Sequence, residues 1–94
     1  MKHHIIIKFL DTVSNKDELI SHINELFSHA AEMPGIHQVQ TFPSCIDRPN
    51  RYDLMIQIVM EPDALNEWDS SEIHKKWKAD YGKYLAAKTI FDCI

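Results

Sequence analysis

Two tryptophans, Trp68 and Trp77, bracket the stretch Trp68-Asp69-Ser70-Ser71-Glu72-Ile73-His74-Lys75-Lys76-Trp77, and a histidine lies between them. Imidazole titrates near neutrality, so a histidine held against a pocket can take a proton from a substrate. If Ser70 or Ser71 caps a helix here, Ile73, Trp77 and Tyr81 share one face at i, i+4 and i+8. His74 then falls at the edge of that stripe. From there it either enters a pocket as a candidate base or bonds a backbone carbonyl and organises the break between two helical pieces. Base chemistry next to a carbonyl also needs a donor for the enolate oxygen, and Tyr52, Tyr81, Tyr84 and His3 are the side chains able to supply one. A ligand pocket lined by Trp68, Trp77, Ile56, Ile58 and Tyr81, with His74 at its wall, is the expectation.

Other chemistries find less support. Cys45 and Cys93 have neither metal-ligand spacing nor a Cys-x-x-Cys motif, and read as two free thiols in a reducing cytoplasm. A single disulfide between them is the alternative. His22 and His29 stand two helical turns apart, about 10 Å, too far to share an ion unaided, and read as surface residues. His3, His4 and His74 lack accompanying carboxylate spacing, so no metal site is expected, and nothing implies a cofactor. Two glycines leave no phosphate-cradling loop. A formal net charge of -4 argues against nucleic acid, and Lys75, Lys76 and Lys78 among Glu72 and Asp80 read as a solvated helix face. The apolar run Ile5-Ile6-Ile7 is too short for an export signal or a membrane span, so a cytoplasmic protein with no membrane association is expected.

The elements that must position these residues follow from periodicity. Residues 1–94 make one domain, and a chain this short buries only about 60–65% of its unfolded surface, so it gains from association. His3 to Leu10 reads as a strand apolar on both sides, with His3, Ile5, Ile7 and Phe9 on the side that takes the helices. Ser14 or Asn15 caps a helix carrying Leu19, Ile23, Leu26, Phe27 and Ala30, which Met33-Pro34-Gly35 ends. Ile36 to Phe42 is a second strand, with Ile36, Gln38, Gln40 and Phe42 on one face. Pro43 to Asn50 is a loop. Arg51 to Met60 is a third strand, with Tyr52, Leu54, Ile56, Ile58 and Met60 facing together. A broken helix starts at Pro62 and closes at Gly82, which is available for a left-handed cap, and Leu85 to Ile94 is the last strand.

The order β-α-β-β-α-β with right-handed crossovers implies an α+β, ferredoxin-like fold: a four-stranded antiparallel sheet with helices on one face. The other face carries Lys8, Met55, Gln57 and Val59. It is too apolar to stay wet and too polar for a monomer core, so a second copy of the sheet is its expected cover, giving a homodimer.

The residues His3-His4-Ile5-Ile6-Ile7-Lys8-Phe9, Met33-Pro34-Gly35-Ile36, Tyr52-Asp53-Leu54, Asp63-Ala64-Leu65, His74 and Ile90-Phe91-Asp92, in that order and spacing, resemble the stress-responsive A/B barrel (Dabb) family over nearly the whole chain. The resemblance implies a homodimer whose two sheets pack face to face into a dimeric α+β barrel, each subunit keeping a pocket between sheet and helices for a small apolar or aromatic ligand. Most members have no assigned reaction. A plant branch cyclises polyketides; by resemblance its working histidine falls on His74, its assisting tyrosine on Trp68, which has no hydroxyl, and a further histidine on His3. The alternative to a plain binding protein is therefore a polyketide-cyclase-like or monooxygenase-like enzyme using His74.

Overall fold

Three successive β-branched residues, Ile5 to Ile7, are stiff at χ1 and fit a pleated surface, and they form the middle of β1 (Lys2–Phe9). A strand apolar on both sides belongs inside a sheet, and β1 does lie inside. The computed structural model describes residues 1–94 and places the four strands in the order β2 (Ile36–Pro43), β3 (Leu54–Met60), β1 and β4 (Leu85–Cys93), every pair antiparallel. This is the ferredoxin-like arrangement.

The first crossover is α1 (Lys16–Ser28). Asn15 caps it by accepting from the Glu18 backbone N–H at 3.0 Å, and Ile23 and Phe27 are its buried residues. A 3-10 turn over His29–Glu32 seats Ala30 in the core. Gly35 then adopts φ +83, and a Cβ there would stand 2.9 Å from the Cβ of Ala64. That close approach locks the start of β2 against the second crossover.

The second crossover runs through a 3-10 turn (Pro62–Ala64), α2 (Leu65–Ser70) and α3 (Glu72–Tyr81). Ser71 makes the break. Its hydroxyl donates to the Trp68 carbonyl at 2.7 Å and accepts from the His74 backbone N–H at 3.1 Å, so one residue ends α2 and caps α3.

Three local expectations are corrected. The pairing slips between Ile36 and Gln38, so Ile36 faces the helices opposite Met60 while Gln38, Gln40 and Phe42 turn to the other face. The third strand begins at Leu54, not Arg51: the Asp53 carboxylate accepts from the Phe9 N–H at 2.8 Å and from Lys16 at 3.1 Å. Tyr52 consequently leaves the Leu54 face, and its hydroxyl lies 3.1 Å from that of Thr89. Gly82 has φ -54 and continues a helical path into a 3-10 turn, with no left-handed cap.

The core lies between helices and sheet, where Ile5, Ile7, Phe9, Leu54, Ile56, Ile58 and Met60 meet Ile23, Phe27, Trp68 and Trp77. The opposite face has no helix. There Lys8, Met55, Gln57 and Val59 stand with Ile6, Phe42 and Phe91, the last two 42% and 58% exposed. His4 is buried among them: it donates from Nδ1 to the Phe91 carbonyl at 3.1 Å and accepts at Nε2 from the Gln57 amide at 3.0 Å. No helix is long and apolar enough to cross a membrane.

Candidate functional site

Strand pairing decides which side chains meet. Antiparallel register sets Lys88, Ile90 and Asp92 of β4 opposite Ile7, Ile5 and His3 of β1, all on the helix side of the sheet. Above β3 that side is sealed. Above β4 it is not, and a cleft of about 450 Å³ opens between β1 and β4 below and α2 and α3 above. Its floor is His3, Ile5, Lys88, Ile90 and Asp92; its roof is Leu65, Asp69, His74, Trp77 and Lys78.

On the floor, buried His3 holds its Nδ1 2.5 Å from Asp92 Oδ1, with the aspartate partly open to solvent. A carboxylate in that position accepts the hydrogen bond donated by Nδ1–H, which fixes the ring's tautomer and leaves the Nε2 lone pair free to act as a base. Nε2 has no partner within the protein.

In the roof, His74 sits in the first turn of α3, its ring edge-on to Trp68 at 5.3 Å between centroids. Burial lowers its pKa below the ordinary 6.5, and the ammonium groups of Lys78 and, less strongly, Lys88 lower it further; the carboxylate and backbone carbonyl of Asp69 oppose them. His74 is therefore neutral at pH 7. It can accept a proton or a hydrogen bond.

His3, His74 and Trp77 are thus brought together around the cleft. Trp68, Ile56 and Ile58 are fully buried in the packing behind it, Trp68 against Phe27 at 5.6 Å. The Trp68 indole N–H is buried with no acceptor. Tyr81, outside the cleft lining, stacks on Trp77 at 5.8 Å, and burial followed by the negative charge of Asp80 raises its phenol pKa, so it stays protonated. Lys8 donates from its ammonium to the carbonyls of Pro49 and Arg51, at 3.2 and 2.8 Å.

Ile5, Leu65, Asp69, Lys78, Lys88, Ile90 and Asp92 also line the cleft, and the sequence pattern does not single them out. The one available signal was an aspartate alternating into the helix side of the last strand, and it needs the β1–β4 register to mean anything. A second hollow, about 420 Å³, lies beside the start of α1. Its acid–base pair, Glu18 and His22, is exposed and 3.7 Å apart, so nothing there is held out of water. Nowhere do three or more His, Cys, Asp or Glu side chains gather as a metal site.

No family model matches the sequence, and no curated protein does either. Solved structures match the fold closely. A dimeric ferredoxin-like protein of unknown function from Thermobifida fusca superposes with a TM-score of 0.78 at 15% identity, over 96% of this chain and 85% of that one. A Dabb family protein with a ferredoxin-like fold from Mesorhizobium loti gives 0.74 at 9% identity, over 99% and 93%. A hydroxynitrile lyase from Passiflora edulis gives 0.75 at 8% identity, over 96% and 87%.

Proposed function

We propose that this chain is a Dabb-family protein, that it works as a homodimer through the helix-free sheet face, and that its cleft is a small-molecule site at which His3 acts as a general base. The observation that carries the reading is the His3–Asp92 pair, buried on the imidazole side and facing His74 across one cleft. Ile5, Leu65, Trp77 and Ile90 provide an apolar wall for the body of a ligand.

The step these groups suit is proton removal from a carbon next to a carbonyl. Nε2 of His3 takes the proton, Asp92 bears against the resulting imidazolium, and the electron pair passes into an adjacent carbonyl as an enolate. The reverse transfer restores neutral His3. The Passiflora edulis lyase is a precedent for lyase activity on this fold. A polyketide-cyclase-like step through His74 and position 68 is less well supported, because Trp68 is sealed away from the cleft and brings no hydroxyl.

Deuterium uptake from heavy water next to the carbonyl of phenylacetone, followed by proton NMR, tests the base. Exchange above the buffer rate should disappear in His3→Asn and fall steeply in Asp92→Asn. Exchange that survives His3→Asn would remove His3 from the role. For the dimer, light scattering should give twice the mass of one chain, and Met55→Asp with Val59→Asp should halve it. A monomer at micromolar concentration would refute the assembly.

A further inference from the structure

We infer that the ligand of this cleft is a small organic carboxylate, its anionic end held by Lys78 and Lys88 and its reacting end at His3. This rests on the reading of the cleft as a small-molecule site and adds the polarity of what enters it.

The cleft has two chemically different ends. On β4, Lys88, Ile90 and Asp92 alternate along one face, which sets Lys88 and Asp92 about 13 Å apart along the strand. The acid–base pair occupies the Asp92 end. In the roof, α3 runs toward the start of β4, to which only Gly82–Tyr84 connects it. Lys78 and His74, one turn apart on α3, both line the roof, and the charges of Lys78 and Lys88 both reach His74. Ile5, Ile90, Leu65 and Trp77 leave the middle apolar.

Neither lysine is satisfied by the protein. Lys16 and Lys75 are paired with Asp53 and Glu72, whereas Lys78 and Lys88 make no ion pair and no side-chain hydrogen bond. The nearest acids on the cleft are otherwise engaged or placed elsewhere: Asp92 holds His3, and Asp69 stands by His74 at the end of α2. Two unpaired ammonium groups reaching one cleft from opposite walls make one end positive. Both also press on His74, in the direction that keeps it neutral. The chemistry favours a carboxylate over a phosphate: no arginine fork lines the cleft, only two lysines.

A matched pair of probes tests this. Phenylacetate and phenylacetamide share ring and length and differ in charge; binding is followed by the imidazole proton resonances of His3 and His74 and by tryptophan fluorescence. Phenylacetate should bind the tighter. Lys78→Gln and Lys88→Gln should each weaken it about threefold, and together about tenfold, as fits exposed ion pairs. The amide should be indifferent to both changes, and added salt should weaken only the acid. Equal affinity for acid and amide at the histidines, or loss of amide binding in the lysine variants, would overturn the carboxylate inference and leave the cleft as a small-molecule site. If neither probe moves either histidine, the cleft reading falls and the carboxylate falls with it.

Discussion

The helix side of the sheet is closed above β3 and open above β4, although both strands border β1. On β3 the four side chains facing the helices, Leu54, Ile56, Ile58 and Met60, are all at most 1% exposed. On β4 the equivalent positions are Lys88, Ile90 and Asp92, and Ile90 is 47% exposed. The difference lies in what stands above. Phe27 of α1 packs on both tryptophans of the second crossover, at 5.6 and 5.0 Å, and this aromatic cluster fills the space over the middle of the sheet. Nothing comparable reaches the β4 edge. Charged side chains can live there because water reaches them, and acid–base chemistry becomes affordable where the dry core thins out.

The largest expected effect tests the closed half. Ile56→Ala should cost about 2–5 kcal/mol in urea unfolding, since a sealed cavity adds to the lost transfer energy. Ile90→Ala should cost less than about 1 kcal/mol, because half of that side chain is already wet. Protein concentration must match across the variants if subunits associate. Comparable losses at the two positions would erase the distinction between the halves.

The boundary between the halves comes next. His3→Asn removes a buried ring and the partner of Asp92 but leaves that aspartate partly in water, so about 1–3 kcal/mol of stability should go. Asp92→Asn should cost less, because an amide can still accept from Nδ1 and the position is open. A larger loss at Asp92 than at His3 would mean that the pair is anchored from the strand edge instead of from the core.

Trp68 sharpens the comparison from the closed side. Its indole N–H is buried without an acceptor, which costs stability on the order of 1–3 kcal/mol. Trp68→Phe removes that donor and a little volume, two effects of opposite sign, so unfolding should shift by less than about 1 kcal/mol. A loss as large as that of Ile56→Ala would show that the indole's volume outweighs its orphan donor.

Most of the fold was legible because it depends on local pattern. The alternation in β1 and β3, the Asn15 and Ser71 caps and the stop at Pro34-Gly35 all carry their cause within a few residues. The exceptions share a physical origin. The slip in β2 adds no distinctive residue, yet it turns Gln38, Gln40 and Phe42 to the opposite face. Asp53 looks like one more polar position of a strand until the Phe9 N–H and Lys16 claim its carboxylate. The site was harder still. His74 and Trp77 sit in one short stretch, but His3 and Asp92 are 89 positions apart and meet only because β4 closes onto β1. Trp68 was expected to line the pocket, and α2 turns it fully inward.

The smallest expected effect is a pH dependence that belongs to the open half alone. The unfolded chain protonates His74 near its ordinary value of 6.5, and the folded protein does so at lower pH, because burial and Lys78 and Lys88 outweigh Asp69. Between those two values the unfolded state binds the extra proton, so stability falls as pH drops through that window. Well above 6.5 the residue is neutral in both states and contributes no slope. Urea unfolding measured from about pH 8 down to about pH 5 should therefore decline, and His74→Gln should flatten part of that decline while leaving the high-pH plateau within about 1 kcal/mol of the parent. Lys78→Gln should act in the same direction but more weakly, since it removes the second cause and leaves burial in place. Ile56→Val, on the closed side, should lower the whole curve by about 0.5–1.5 kcal/mol without changing its shape. A change of shape from the Ile56 variant would mean that the packing of the core and the protonation of the cleft are coupled, and that the two halves of this sheet face are not independent.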